Sequence, residues 1–447
     1  MKTIFFVIAA LAATVLFSSC NKDKATSDEG GEATTMEISI KFPGVPQTRA
    51  TFDPNALDSE AELKKVDIFI YYPSGTLQRH QSLTASAFSA NPSNGTDADV
   101  YTSTTKIQTT TGSKKVVAGI NLPQSVVDDL NKKPMIGTLT TVAQTMSRAQ
   151  MTGANGFVMF STEPVSGTFV VETESNAATA NRVVLRCERL VAKVTVETDV
   201  DLVITGVPGT LSNLQFAVNN FNNKLFMLQG IAPERRDPNW VRDPNNLYYA
   251  GDFEDTPATD YVDVLNRRTI ANPTKNDYRP RYASENTTES KIKGEATRAT
   301  VRGEFIPANL WTYTGGVLTQ TTNIAVTPVT FYHVRIDMEG DYYFGIQSQA
   351  ADFAVSKGKT AADVNTYTGG RCYWDIYLNK NPRDIINQWD VLRNDFYQCN
   401  IKRIVAPGRN VPEVLDPWNP IEVETNITAE INVVNWHTPV LSDYDLE

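Results

Sequence analysis

The chain has 447 residues with 41 Lys+Arg against 51 Asp+Glu, a net charge of −10. That balance excludes a nucleic-acid partner, because no clustered Lys and Arg are available to neutralise phosphates. Hydrophobic residues at 41% and aromatics at 9% require folded domains with a core and exclude a disordered chain.

Lys2, the apolar run Ile4 to Phe17, and then Ser18, Ser19 and Cys20 read as a secretory signal peptide over residues 1–19. As a helix the run spans ~21 Å, short of the ~30 Å hydrocarbon core, so a permanent transmembrane helix is the poorer reading. The Ser-Ser-Cys ending resembles a bacterial lipoprotein box, which makes Cys20 the lipidated first residue of the mature chain; Phe17 stands where that pattern usually has Leu. The alternative is an ordinary cleavage site with an incidental cysteine. Residues 20–35, polar and glycine-bearing, form a flexible tether. Beyond the tether the chain is long enough for two domains of ordinary size or three small ones.

Most of the remaining chain reads as strands. "MEISIKF" alternates Met36, Ile38, Ile40 and Phe42, the period of a half-buried strand. "PGVPQTRATFD" is a proline-containing loop that exposes Arg49. "VDIFIYY", "KKVVAGINL", "GFVMFST" and "FVVET" are short β-branched or aromatic runs ended by Pro, Gly or polar clusters. Between them two helices are expected: "SVVDDLNKK", with Ser125 as N-cap, and a longer one over "GTLTTVAQTMSRAQM". "RVVLRCERLVAKVTVET", Arg182 to Thr198, is one long strand or two joined by a bend, and Pro208 and Gly209 just beyond it place a domain boundary near residue 200.

The second half opens with "LSNLQFAVNN" and "KLFMLQG", then enters a polar, proline-bearing excursion from Ala232 to about Arg298. Strands resume at "TVRGEFIP", "TNIAVTPVTFYHVRIDM" and "DYYFGI". "RCYWDIYL" and "NDFYQCNIKRI" are expected to form a hairpin pairing Trp374 with Tyr397, which puts Cys372 opposite Cys399 on an apolar face. Buried thiols are the default there and a cross-strand disulfide the alternative. After the proline-broken stretch 405–420, Ile427, Ala429, Ile431 and Val433 alternate with Thr428, Glu430 and Asn432, a last half-buried strand. Many short strands with few short helices give a mainly β chain of two β-sandwich domains.

Catalytic chemistry is sparse. His80, His333 and His437 have no metal-ligand spacing, and His333 reads as an ordinary strand residue. No nucleophile elbow, phosphate loop or dinucleotide fingerprint occurs. The carboxylates Asp252, Glu254, Asp255, Asp260 and Asp263 are the densest cluster; calcium binding or a glycosidase pair is the sharp reading and a solvated acidic loop the bland one. Tyr248, Tyr249, Tyr261, Tyr278 and Tyr282 in the same excursion either stack on sugars or pack beneath the loop. No enzyme activity, metal or cofactor is expected.

Taken together, "KKVVAGINLP", "GFVMFST", "CERLVAKVTVET", "RNDFYQCNIKRI" and the terminal "AEINVVNWHTPVLSDYDLE" resemble the Bacteroidales fimbrillins, the type V pilins, and in particular the Mfa-type minor-fimbrium subunit. The resemblance implies two transthyretin-like β-sandwich domains after a lipoprotein signal peptide, here residues 36–200 and 201–410, followed by a donor-strand tail over 411–447. It implies a precursor lipidated on Cys20 and displayed at the outer membrane, with other fimbrial subunits and a host or bacterial surface ligand as partners. It also implies assembly in which an arginine-specific protease cuts between Arg49 and Ala50, removes the first strand (Met36, Ile38, Ile40, Phe42), and lets a neighbour's strand refill the groove.

The residues suit that role on physical grounds. Losing Met36 to Phe42 uncovers apolar sockets and unpaired backbone groups that are costly to leave unfilled. The alternating strand Ile427, Ala429, Ile431, Val433 has the shape to refill them. Its large side chains contribute ~1.5–3 kcal/mol each as an upper bound before ordering costs. Head-to-tail contacts of this kind do not close and so generate filaments. Other readings are a tip or anchor fimbrial subunit, which share the fold, and a surface glycan-binding lipoprotein; the last strand also has the option of lying on its own domain as an edge strand.

Overall fold

The computed structural model describes residues 30–43, 57–92, 98–176, 180–229, 238, 253–254, 256–270, 273–274, 277–287, 291–378, 389–412, 417–421 and 426–436. The signal peptide, Cys20, Arg49 and Ala50 lie outside the described residues. The chain is mainly β, with sandwich-like sheets and, among the described residues, three short α-helices.

The expected first strand is β1 (Ala33–Pro43). Its apolar alternation drives it into the middle of the largest sheet, where Met36, Ile38 and Ile40 have no exposed surface. Ala33 to Met36 pair antiparallel with β3 (Ile107–Thr110), and Ser39 to Pro43 pair antiparallel with β2 (Ala98–Ser103). On its other side β1 runs parallel to β4 (Arg182–Arg189), Glu37 beside Arg182 through Lys41 beside Arg186. The sheet continues from β4 through Met159–Ser161, Gly112–Ile120 and Lys65–Tyr71 to Leu77–Thr84. Helix α1 (Gln124–Lys132) turns Val126, Val127 and Leu130 into the same core. It begins after Pro123, not at Ser125, since proline suits a position that needs no N–H.

The run Arg182 to Thr198 is two strands. Fully buried Leu190 separates β4 from β5 (Val191–Thr198), and β5 belongs to the next sheet. There β5 pairs parallel with β8 (Asp395–Ile404), whose other edge takes the antiparallel β9 (Ile427–Asn435). A second, antiparallel layer contains Gly209–Asn219, β6 (Arg298–Pro307) and β7 (Arg371–Tyr377). Val194, Tyr397 and Cys399 of one sheet share a single apolar cluster with Phe216, Val301 and Trp374 of the other, which makes the pair a sandwich.

The Cys372–Cys399 hairpin does not form. Cys372 on β7 pairs with Gly303 of β6, and Cys399 on β8 pairs with Val196 and Ile431, so the two strands sit in different layers. Nearness in sequence favoured the hairpin, but both edges of β8 are taken by non-local partners. Cys187, Cys372 and Cys399 are buried free thiols.

The long helix expected over 137–151 breaks into a 3-10 turn (Ile136–Thr140), a two-residue strand and α2 (Arg148–Thr152). Thr138, Thr140 and Thr141 are poor helix formers, and Ser147 restarts the helix with its hydroxyl accepting from the Gln150 N–H at 3.3 Å. Pro328 likewise interrupts the expected strand over 322–338, which survives only as Phe331–Ile336. An unexpected helix, α3 (Gln347–Ser356), packs Phe353 on a five-stranded sheet built from residues 309–367.

Candidate assembly site

β1 is held by more than its ladder. Glu37 pairs with Arg182 at 3.2 Å, and the Ser39 and Thr102 hydroxyls meet at 3.0 Å. Thr35 donates to Glu172, which also meets Lys106 at 3.1 Å; these two contacts hold the Glu172 carboxyl below its ordinary range. Asn181 donates to the Thr35 carbonyl at 2.8 Å. The buried face fills a groove between β4 on one side and β2 and β3 on the other. Removing β1 would expose backbone groups on both walls together with the sockets of three fully buried side chains. Phe42 is in the strand, opposite Asp99.

β9 is held differently. Among the described residues it has one neighbour, β8, and lies at the edge of its sheet. Ile427 is buried, while Ala429, Ile431 and Val433 are half-buried against the second core. On the outer face Glu430 meets Lys402 at 3.4 Å and Asn432 donates to Gln398 at 2.9 Å. An edge strand without covering elements comes away at lower cost than a central one. The structure does not bring β1 and β9 into one ladder.

Past β9 the chain ends its described course in a well-built socket. Trp436 donates its backbone N–H to the Asn394 carbonyl at 3.0 Å and stacks on Tyr282, ring centres 5.9 Å apart, with Phe157 edge-on at 6.0 Å. The Arg189 guanidinium lies 4.2 Å over its ring. Beneath it Lys193 and Glu60 form an ion pair at 2.9 Å with both side chains shut off from solvent. Glu60 also accepts from the Tyr282 hydroxyl at 2.7 Å, and its carbonyl accepts from Arg189 at 2.8 Å. Burial, then the Glu60 charge, pushes the Tyr282 hydroxyl well above its usual pKa. Sequence reasoning missed this socket. Its one signal was a basic residue at position 193 inside a run buried on both faces, which requires a partner charge.

The other candidates within the described residues stand in ion pairs or in packing. Asp260 meets Arg148 at 3.5 Å and Asp263 meets Arg279 at 2.7 Å. Among the described residues no group of three or more His, Cys, Asp or Glu is placed to hold a metal ion. Asp252, Asp255, Tyr248 and Tyr249 lie outside the described residues. Tyr261 is buried under the Arg302 guanidinium at 4.1 Å and Tyr278 is buried, so neither presents a platform to a sugar. His333 donates to the Asp341 carboxylate at 2.8 Å and stacks on Tyr343.

Two family models match the chain: one for the major fimbrial subunit protein (FimA) over residues 34–213, and one for the C-terminal part of the type IV major fimbrial subunit protein, fimbrillin, over residues 365–440. No curated protein matches. Among solved structures the chain is similar to a fimbrilin from Porphyromonas gingivalis W83 at 12% identity, covering 90% of this chain and 98% of that one with a TM-score of 0.47. It is similar to a fimbrial assembly protein from Parabacteroides distasonis at 9% identity, covering 90% and 100% with a TM-score of 0.42. It is also similar to the C-terminally truncated tip fimbrial protein Mfa3 from Porphyromonas gingivalis at 12% identity, covering 90% and 100% with a TM-score of 0.39.

Proposed function

We propose, starting from the fact that the chain belongs to the fimbrillin family of fimbrial subunit proteins, that it is a shaft-type subunit polymerising by strand exchange. As a fimbrial subunit it is a structural protein, not an enzyme, and assembles with other fimbrial subunits in a surface fimbrium. The finer scheme is our reading. The precursor is a lipoprotein anchored through Cys20 at the outer membrane, with domains over 36–200 and 201–410 and a donor tail over 411–447. Cleavage between Arg49 and Ala50 frees β1, and a neighbour's strand carrying Ile427, Ala429, Ile431 and Val433 takes the place of the strand carrying Met36, Ile38, Ile40 and Phe42. The filament so formed supports adhesion to a host or bacterial surface.

The observation that best supports this is the contrast between the two strands. β1 is central, paired on both sides and buried at Met36, Ile38 and Ile40, so its loss leaves a slot that demands an occupant. β9 alternates in the same way but, among the described residues, sits at an edge with a single neighbour. A tip or anchor subunit would lack either the cut or the free donor.

Limiting trypsin on the precursor, residues 21–447, tests the scheme, with the new N-terminus read by mass spectrometry and size followed on native gels. The expected result is one early cut after Arg49 followed by laddered oligomers that vanish when Ile427 to Val433 is deleted. Resistance at Arg49, or a cut chain that stays monomeric, would sink the shaft reading.

A further inference from the structure

A shift of two residues keeps the same face of a strand turned inward, so the alternation of β9 alone does not fix its register. The outward face does. Thr35 to Ile40 reads TMEISI and Thr428 to Val433 reads TAEINV. Thr, Glu and Ile coincide at the first, third and fourth places, Ser39 answers to Asn432 and Ile40 to Val433. Met36 against Ala429 is the largest difference in size.

Resting on the strand-exchange reading above, we propose that β9 enters a neighbour's slot with the polarity of β1, in the single register that lays Thr428–Val433 over Thr35–Ile40. Glu430 then takes the place of Glu37 and meets the acceptor's Arg182, which pairs with Glu37 at 3.2 Å in the closed chain. Asn432 takes the place of Ser39 beside Thr102, and Thr428 takes the place of Thr35 as donor to Glu172.

Each two-residue shift loses these contacts. Moved one way, Glu430 lies over Ser39 and Arg182 faces Thr428, which carries no charge. Moved the other way, Glu430 lies over Thr35 and comes against Glu172, a repulsive pair. The apolar face does not separate the proposed register from the first shift, because Ala429 under-fills the socket in both (Met36 and Ile38), while the second shift would put Asn435 in the fully buried Ile40 socket. The proposed register has its own cost: Ile427 replaces Thr34, whose hydroxyl donates to the Val170 carbonyl at 2.8 Å and accepts from the Glu172 N–H at 3.2 Å. Asn181 still donates to the Val170 carbonyl at 2.8 Å, which limits that loss. Arg182 and Glu430 are thereby the specificity-determining pair of the joint.

Disulfide trapping decides it. Three precursors carry Thr102→Cys together with Asn432→Cys, Glu430→Cys or Val434→Cys, and each is cut after Arg49, oxidised and run on non-reducing denaturing gels. A covalent ladder from Asn432→Cys alone is the expected result. A ladder from Glu430→Cys or Val434→Cys instead overturns the register and leaves strand exchange standing. Oligomers on native gels with no covalent ladder from any of the three overturn the polarity as well. No oligomers from any variant or from the unsubstituted chain defeat the strand-exchange reading itself. As a second readout, Glu430→Arg is expected to slow joining to an unsubstituted acceptor, and Arg182→Glu in the acceptor is expected to restore it; equal rates in all combinations would remove the charge pair from the joint.

Discussion

Replacing Trp436 by Ala should loosen β9 without unfolding the protein. The ring is buried among Phe157, Tyr282 and Arg189, and truncating a buried Trp costs about 3–5 kcal/mol. A stacked guanidinium adds about 0.5–2 kcal/mol, part of which is already counted in the truncation, so about 3–5 kcal/mol serves for both. Trp436 closes an edge strand otherwise anchored by the β8 ladder, by Ile427 and the half-buried Ala429, Ile431 and Val433, and by two outer-face contacts, and local opening of such a strand draws on far less than the global free energy. At about 1.36 kcal/mol per tenfold, amides of β9 should exchange roughly two to three and a half orders of magnitude faster in Trp436→Ala. Amides of β1, central in the first sheet, should change far less. Native-state hydrogen exchange read by mass spectrometry reports both. Unchanged exchange in β9, or an equal rise in β1 and β9 together with a matching fall in global stability, would refute a local catch.

Lys193→Met strands the Glu60 carboxylate without its buried cation and should lower the unfolding free energy by about 3–5 kcal/mol in urea titration; a loss under about 1 kcal/mol would mean that the pair is dispensable. Asp341 is held below its usual pKa, first by the bond from His333 and second against burial. Its contribution is therefore present above the unfolded value near about 4 and lost as pH falls through the lower folded value. The melting temperatures of the wild type and Asp341→Asn should accordingly differ at neutral pH and converge in acid, and a constant gap would contradict the assignment. Burial pushes the Cys187 and Cys399 thiols up to about 12 and raises Cys372 as well, so no thiol of the described residues should react with a maleimide at pH 8 until denaturant is added. Rapid labelling of the native chain would place one of them at the surface.

Local pattern carried the sequence reading as far as local pattern reaches. Met36, Ile38 and Ile40, and Ile427 with its alternating companions, are legible because a period of two is written in consecutive residues and burial follows it directly. Partners were not legible. β1 beside β4 and β5 beside β8 are parallel pairings across more than a hundred residues, and nothing in either strand names the other. The misjudged Cys372–Cys399 hairpin has the same origin: adjacency along the chain stood in for adjacency in space. α3 escaped because its alanines and single Phe353 make a narrow apolar stripe that no capping side chain announces. Trp436 and Glu60 are isolated letters whose meaning depends on Arg189 and Lys193 arriving from two other strands, β4 and β5.

Leu190 has a mechanical consequence. The backbone passes from β4, the wall of the first-strand slot, into β5, the neighbour of β8, through one buried residue and no loop. Tension entering a subunit at the slot is thus handed along a continuous polypeptide to the parallel ladder between β5 and β8, where it acts on hydrogen bonds in shear, all loaded together, and not in sequence as in a zipper. A one-residue joint leaves no slack to release under load. Pulled from its two ends, such a chain is expected to yield abruptly at one high force, and three glycines inserted after Leu190 should turn that single event into an early, soft extension.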